Sequence, residues 1–152
     1  MKTTILLLII FNTKILAFNT QLFKEAIAEV ETGNVVNWSI GASGEKTKYQ
    51  FMKSTWESYS SYPFEKIYWH DTRSANESER VMDLHIKWMH KNLQKQARMT
   101  IESSLGLDEV FWLALIHNAG YGRFKRGEWK DRHIDYAKRV YNIYDYKVKR
   151  FE

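Results

Sequence analysis

Three polar residues among the first 50 have types and spacing that suit acid/base chemistry. Glu31 stands at the end of an apolar stretch, Glu45 follows in a Gly/Ser-rich segment, and Gln50 comes where aromatic residues resume. A carboxyl group at the edge of an apolar surface is partly desolvated, which raises its pKa and keeps it protonated as a general acid requires. We therefore predict that Glu31 is a general acid/base. A solvated glutamate in a last helical turn is the alternative.

Glu45 is the nearest candidate for a second carboxylate, because it lies on the loop that leaves the same predicted helix. Inverting glycosidases hold two carboxyl groups about 6.5–9.5 Å apart around a water molecule. A loop that folds back would bring Glu45 opposite Glu31 in this way. The alternative is an exposed glutamate beside lysines.

Helical elements must position these residues. Apolar residues recur every three or four positions between a start at Asn19 or Thr20 and a stop at Gly33, which predicts a helix ending just after Glu31. Further helices are predicted at residues 49–59, from Ser74 to about 104 with Ser74 or Asn76 as cap, at 110–116 and at 131–146. We predict a mainly α, single compact helical domain with at most a small β-hairpin near residues 34–48.

Composition and the first residues indicate an exported single-domain protein. The chain has 152 residues, no cysteine and a net charge of +5. Residues 1–17 have the charged, apolar and small-residue regions of a signal peptide, which leaves 18–152 as the domain. Their removal would take away Lys2 and Lys14 and no acid, so the net charge becomes 21 minus 18, or +3. The basic balance by itself does not choose between nucleic acid, an acidic membrane and an anionic wall polymer.

Three segments carry a family resemblance. They are Glu31-Thr32-Gly33-Asn34, the stretch 49–56 (YQFMKSTW) and the stretch 114–123 (ALIHNAGYGR). In this order they resemble the signature motifs of the lysozyme-like lytic transglycosylases, the soluble lytic transglycosylase domain. The resemblance spans about residues 20–146. Thr32 stands where the family has serine, and Thr47 where it has glycine.

The resemblance implies roles for particular residues. Glu31 matches the family's catalytic acid/base, and Gln50 and Met52 match residues that line the saccharide groove. Asn118 matches an asparagine that shapes the cleft, and Tyr136 resembles a tyrosine that reaches towards the glutamate. Ser39 resembles a serine that contacts the substrate's N-acetyl group.

The family further implies a lysozyme-like fold and cleavage of the β-1,4 bond between N-acetylmuramic acid and N-acetylglucosamine in peptidoglycan. The muramyl sugar's own acetamido and 6-hydroxyl groups then give a 1,6-anhydro product, so one catalytic carboxylate suffices. We expect glycan strands as partner, no nucleic acid, no stable membrane insertion beyond the leader, and a periplasmic, extracellular or virion-associated location. The histidines (His70, His85, His90, His117 and His133) form no metal-ligand spacing, so we predict no cofactor and no metal.

Three alternatives stay open. A hydrolytic muramidase would use Glu45 as a second group. A non-catalytic lysozyme-like module would bind glycan within a secretion or phage machine, and would be favoured if Glu31 were fully exposed and far from Gln50 and Asn118. A nucleic-acid-binding helical protein is suggested by the basic tail at 147–150 and the lysine-rich long helix.

Overall fold

The computed structural model describes residues 18–33, 41–68, 71–99 and 109–150, without the side chains of 97–99. The predicted signal peptide and Ser39 lie outside these residues. The described chain forms a mainly α, single compact helical domain, as predicted. Its helices are α1 (Thr20–Thr32), α2 (Lys53–Tyr59), α3 (Thr72–Met99), α4 (Glu109–Ala119), α5 (Tyr121–Arg126) and α6 (Asp131–Arg150), with a short 3-10 helix at Phe64–Lys66.

Helix α1 has the ends that its sequence predicts. The Asn19 side chain accepts a hydrogen bond from the Leu22 N–H, and Gly33 closes the helix in the left-handed conformation at φ 65°. The buried Leu22, Phe23 and Ile27 side chains face the core. The Asn19 N–H also donates to the Tyr144 hydroxyl at 2.8 Å, which joins the start of α1 to the last part of α6.

Helix α4 contains the helix predicted at residues 110–116, and most of its side chains are buried in the core. Its residues Leu113, Ala114, Leu115 and Ile116 are essentially inaccessible to solvent. The helix packs against α3, α5 and α6, and α6 also packs against α1. Because Glu31 is in the last turn of α1 and Asn118 in the last turn of α4, this packing brings distant parts of the chain together.

Two predicted helix starts are wrong. Helix α2 begins at Lys53 and not at residue 49, because residues 46–51 form a tight turn closed by an antiparallel bridge between Lys46 and Phe51. Helix α3 begins at Thr72 and not at Ser74 or Asn76. At this start the Asp71 carboxylate accepts a hydrogen bond from the Arg73 N–H at 2.9 Å.

The Lys46–Phe51 bridge is the only extended pairing within the described part of the chain, which contains no strand. The sequence predicted at most a small β-hairpin near residues 34–48. The structure describes only residues 41–48 of that segment. Among the described helices, none is long and apolar enough to cross a bilayer.

Candidate active site

Glu31 is held in the last turn of α1 by contacts on both sides of the helix end. The Gly33 N–H donates to the Ala28 and Glu29 carbonyls. The next residue after Glu31, Thr32, donates its hydroxyl to the Ala28 carbonyl at 2.9 Å and contacts the Lys48 carbonyl at 3.4 Å. The Glu31 side chain is only 18% exposed. The end of α1 is therefore in direct contact with the turn that contains Lys48.

The loop at 41–52 turns Glu45 inward, against the alternative of an exposed glutamate. The Ser43 N–H donates to Glu45 Oε2 at 2.9 Å, and the Gly41 N–H donates to the Glu45 carbonyl at 2.8 Å. A Cβ on Gly41 would lie 2.3 Å from Glu45 Oε2 and 2.5 Å from Gln50 Oε1. Glycine at position 41 thus allows both side chains to approach the backbone closely.

Thr47 and Gln50 both have positive φ angles, of 73° and 50°, which non-glycine residues rarely adopt. The turn is held by Gln50, whose backbone N–H and side-chain amide both donate to the Thr47 carbonyl, at 3.0 and 2.9 Å. Strained residues of this kind persist only where their surroundings hold them, and they concentrate at functional sites.

A partly exposed polar cluster anchors this turn to α1 and α3. The hydroxyl of Tyr49, which is itself buried, donates to the Glu79 carboxylate at 2.9 Å. Lys24 on α1 pairs with Glu79 at 3.1 Å and with Asp83 at 2.9 Å, and Lys48 also pairs with Glu79. Tyr49 and Phe51 point into the core. Gln50 and Met52, which alternate with them along the chain, therefore face the other way.

The loop and helices α1 to α4 together line an open cavity of about 270 Å³. Five residues singled out from the sequence line it: Glu31, Glu45, Gln50, Met52 and Asn118. Met52 and Asn118 are exposed at its surface, whereas Glu31 and Gln50 are half-buried. The structure therefore brings these predicted residues to one place, although their roles remain predictions.

Tyr136 lies behind Glu31 and does not line the described cavity. It is 4% exposed, and burial, together with the nearby Glu31 charge, raises the pKa of its hydroxyl well above the usual value, so it stays neutral. The hydroxyl interacts with Glu31, but the contact falls short of standard hydrogen-bond geometry, and no other described group bonds to it.

The surroundings raise the pKa of Glu31 above the ordinary value for a glutamate. The largest cause is burial, which disfavours the charged form. The nearby Tyr136 hydroxyl lowers the pKa, the negative charge of Glu45 raises it, and the positive charge of Arg139 lowers it. The net result is a carboxyl group that retains its proton to a higher pH than a solvated one.

Two histidines of the site escape prediction from the sequence. His117 Nε2 lies 3.8 Å from Glu31 Oε1, and the His85 ring lies 5.6 Å from the His117 ring. Burial lowers the pKa of His117 to about 4 and that of His85 to about 3, so both rings are neutral at pH 7 and His117 forms no ion pair with Glu31. The sequence offered one signal for His85, which is a polar residue within the apolar stripe formed by Met82, Ile86 and Met89.

The described residues contain no group of three or more histidine, cysteine or carboxylate side chains placed to hold a metal ion. The site as described offers carboxylic acid, amide and neutral imidazole groups around a water-accessible space. These groups suit proton transfer to and from a neutral polar ligand.

Fold and site together define a helical protein with a carboxylate-lined cavity. Comparison of the chain with protein-family models, with curated proteins and with solved structures finds no match.

Proposed function

We propose that this protein cleaves the β-1,4 bond between N-acetylmuramic acid and N-acetylglucosamine in peptidoglycan, as a lytic transglycosylase with Glu31 as general acid/base. The observation that carries the proposal is the Glu31 carboxyl, buried in a cavity with Gln50 and Asn118 and with a raised pKa. A protonated carboxyl at such a place can donate its proton to the leaving glycosidic oxygen. Once ionised, it can accept the proton of the attacking hydroxyl.

A second observation supports the resemblance to lytic transglycosylases. Thr47 stands where that family has glycine, and its φ of 73° is an angle that glycine adopts freely. The backbone of this turn therefore has the conformation that a glycine in the motif would favour. The bond cleaved lies outside the plasma membrane, so the proposal goes with the predicted export of the chain.

Hydrolysis of the same bond is the second candidate, and Glu45 favours it. Its carboxylate is held at the cavity by the Ser43 N–H and is close enough to raise the pKa of Glu31. A second carboxylate at this position can activate a water molecule, as a muramidase requires. A non-catalytic module would be favoured by a Glu31 that is fully exposed and far from Gln50 and Asn118. Glu31 is instead half-buried and lines the same cavity as both residues.

The test is mass analysis of the muropeptides that the full chain releases from purified peptidoglycan. We expect 1,6-anhydromuramyl ends from the wild type and a loss of roughly 10²–10⁴-fold in rate for Glu31→Gln, the usual size of an acid/base contribution. Glu29→Gln, two residues earlier on α1 and paired with Lys147, is the matched control and should retain activity.

Glu45→Gln separates the two reactions. A transglycosylase should still release anhydro products in this variant, whereas a muramidase should release reducing ends in the wild type and lose activity with Glu45→Gln. Full wall cleavage by Glu31→Gln would exclude both mechanisms.

A further inference from the structure

The Glu79 carboxylate on α3 is the point at which three elements of the fold meet. It accepts a hydrogen bond from the Tyr49 hydroxyl, which lies 2.9 Å from both of its oxygens, and it pairs with the neighbouring Lys48. Lys24 of α1 lies 3.1 Å from the same carboxylate. Glu79 is not among the described residues that line the candidate active-site cavity. It therefore joins α1, α3 and the turn at 46–51 from outside that cavity.

The charges around Glu79 keep its contact with Tyr49 in one protonation state at neutral pH. Burial favours a raised pKa for Glu79, but hydrogen bonds from the two lysines and from Tyr49 outweigh it and hold the pKa below the usual value. Burial, together with the Glu79 charge, raises the pKa of the Tyr49 hydroxyl. The carboxylate is therefore ionised and the phenol neutral, and a hydrogen bond to an ionised acceptor is stronger than one between neutral groups.

The turn at 46–51 needs such an anchor because its backbone is strained. Thr47 and Gln50 have positive φ angles, and that conformation persists in these residue types only where surrounding contacts hold it. Tyr49, directly before Gln50, is 1% exposed, so its ring is held by the core while its hydroxyl is held by Glu79. With Tyr49 held at both ends, the Gln50 side chain is directed into the cavity.

We propose that Glu79 is a positioning residue of the candidate active site, which acts through the Tyr49 hydroxyl to hold Gln50 at the cavity. Its kinetic consequence rests on the proposed function, because that function makes Gln50 a substrate-binding group. Glu31 is carried by α1 and not by the turn. Loss of Glu79 should therefore weaken substrate binding more than it slows the chemical step.

The first test is hydrogen exchange of the turn, measured in the full chain by mass spectrometry. The Lys46, Gln50 and Phe51 N–H groups donate to carbonyls within the turn, so their exchange reports its opening. Glu79→Ala should speed this exchange by about tenfold, the scale of one hydrogen bond to a charged group. A role of Glu79 confined to the stability of the whole fold would leave these amides unchanged, because they exchange through local opening.

Asp83→Ala is the matched control for Glu79→Ala. Asp83 lies one helical turn further along α3, has a similar side-chain exposure of 42% against 36%, and pairs with Lys24 at 2.9 Å. It forms no hydrogen bond or ion pair with the described residues of the turn, so exchange there should match the wild type. Glu79→Gln keeps an acceptor for the Tyr49 hydroxyl without the charge, and should give an intermediate rate. Equal effects of Asp83→Ala and Glu79→Ala would overturn the inference.

The second test is a double-mutant cycle between Glu79 and Gln50 in wall cleavage. Gln50→Asn shortens the side chain that reaches the cavity, and asparagine tolerates the left-handed backbone conformation. Glu79→Ala should raise KM by roughly tenfold in the wild-type background, with a smaller loss of kcat, but by less than about twofold when Gln50→Asn is already present. An equal rise in both backgrounds would mean that Glu79 does not act through Gln50.

Unchanged exchange of the turn in Glu79→Ala would overturn the inference at any level of activity. Failure of the proposed function looks different, because it appears as absence of peptidoglycan cleavage by the wild type. The exchange measurement needs no substrate, so in that case it still decides whether Glu79 holds the turn.

Discussion

Glu45 and Tyr136 act on the Glu31 carboxyl in opposite directions. Burial, the largest influence, raises the pKa of Glu31, the Tyr136 hydroxyl lowers it, and the charge on Glu45 raises it further. A general acid works only while it is protonated, so the upper pH limit of kcat/KM should follow the pKa of Glu31 in the free enzyme. Each neighbour therefore has a separate, signed effect that kinetics can measure.

The Glu45→Gln variant should move the upper pH limit of activity downward. Removing the negative charge removes one of the causes that raise the pKa of Glu31, so the carboxyl loses its proton at a lower pH. The measurement is the pH profile of kcat/KM for wall cleavage, with Glu29→Gln as control. An unchanged or upward-shifted limit would mean that Glu45 does not act on Glu31 in solution.

The Tyr136→Phe variant should move the same limit upward. The hydroxyl favours the ionised form of Glu31, and without it the carboxyl holds its proton to a higher pH. Phenylalanine keeps the packing of this buried ring, so the melting temperature should change little. A downward shift would mean that the hydroxyl favours the protonated form of Glu31, which contradicts the prediction. A large loss of stability without a shift would assign Tyr136 a purely structural role.

At the level of elements, the loop at 41–52 requires a residue without a side chain at position 41. A Cβ at position 41 would collide with Glu45 Oε2 and Gln50 Oε1, which are the ends of flexible side chains and can move away. Gly41→Ala should therefore displace both groups from the cavity while the fold survives. We expect cleavage to fall by at least about tenfold, with a change in melting temperature of only about 2–4 °C.

Gly122→Ala is the matched control for Gly41→Ala. Gly122 lies within α5, and an added Cβ would come no closer than 3.6 Å to the Arg126 guanidinium. Alanine in a helix is more stable than glycine by roughly 0.5–1 kcal/mol, so this variant should be active and slightly stabilised. Full activity of Gly41→Ala would show that the positions of Glu45 and Gln50 do not matter for cleavage.

The accuracy of the sequence predictions differed between elements for physical reasons. Helices α1 and α4 were predicted because their apolar spacing, and for α1 the stop at Gly33, are local signals. The start of α2 was wrong because residues 46–51 take positive φ angles at Thr47 and Gln50, which tertiary contacts such as the Tyr49–Glu79 hydrogen bond hold in place. Helix α5 was missed because its six residues are too short for a periodic pattern.

At the scale of the whole molecule, the cavity depends on contacts that no local pattern encodes. Glu31, Gln50, His85 and Asn118 come from four separate segments, and only the packing of α1, α3, α4 and α6 brings them together. Motif order predicted that Glu31, Gln50 and Asn118 would share a site. His85 gave no such signal, because a histidine in an apolar stripe has the same spacing whether it packs in the core or faces a cavity.

The buried carboxyl should also destabilise the folded protein, in a pH-dependent way. Below the usual pKa of a glutamate, near pH 4, Glu31 is protonated in the folded and unfolded states alike and adds no ionic cost. Above its raised folded pKa it is ionised in both states, and the folded state alone carries the cost of desolvating the charge.

Glu31→Gln should therefore gain stability relative to the wild type as the pH rises from about 4 to 8, while it loses activity. The measurement is the free energy of unfolding by urea at a series of pH values, with Glu29→Gln, at 42% side-chain exposure, as control. The difference between Glu31→Gln and wild type should be smallest at the acidic end and largest above the raised pKa. A difference that stays constant across this range would mean that Glu31 is solvated in the folded protein. The general acid argued from its burial would then lose its physical basis.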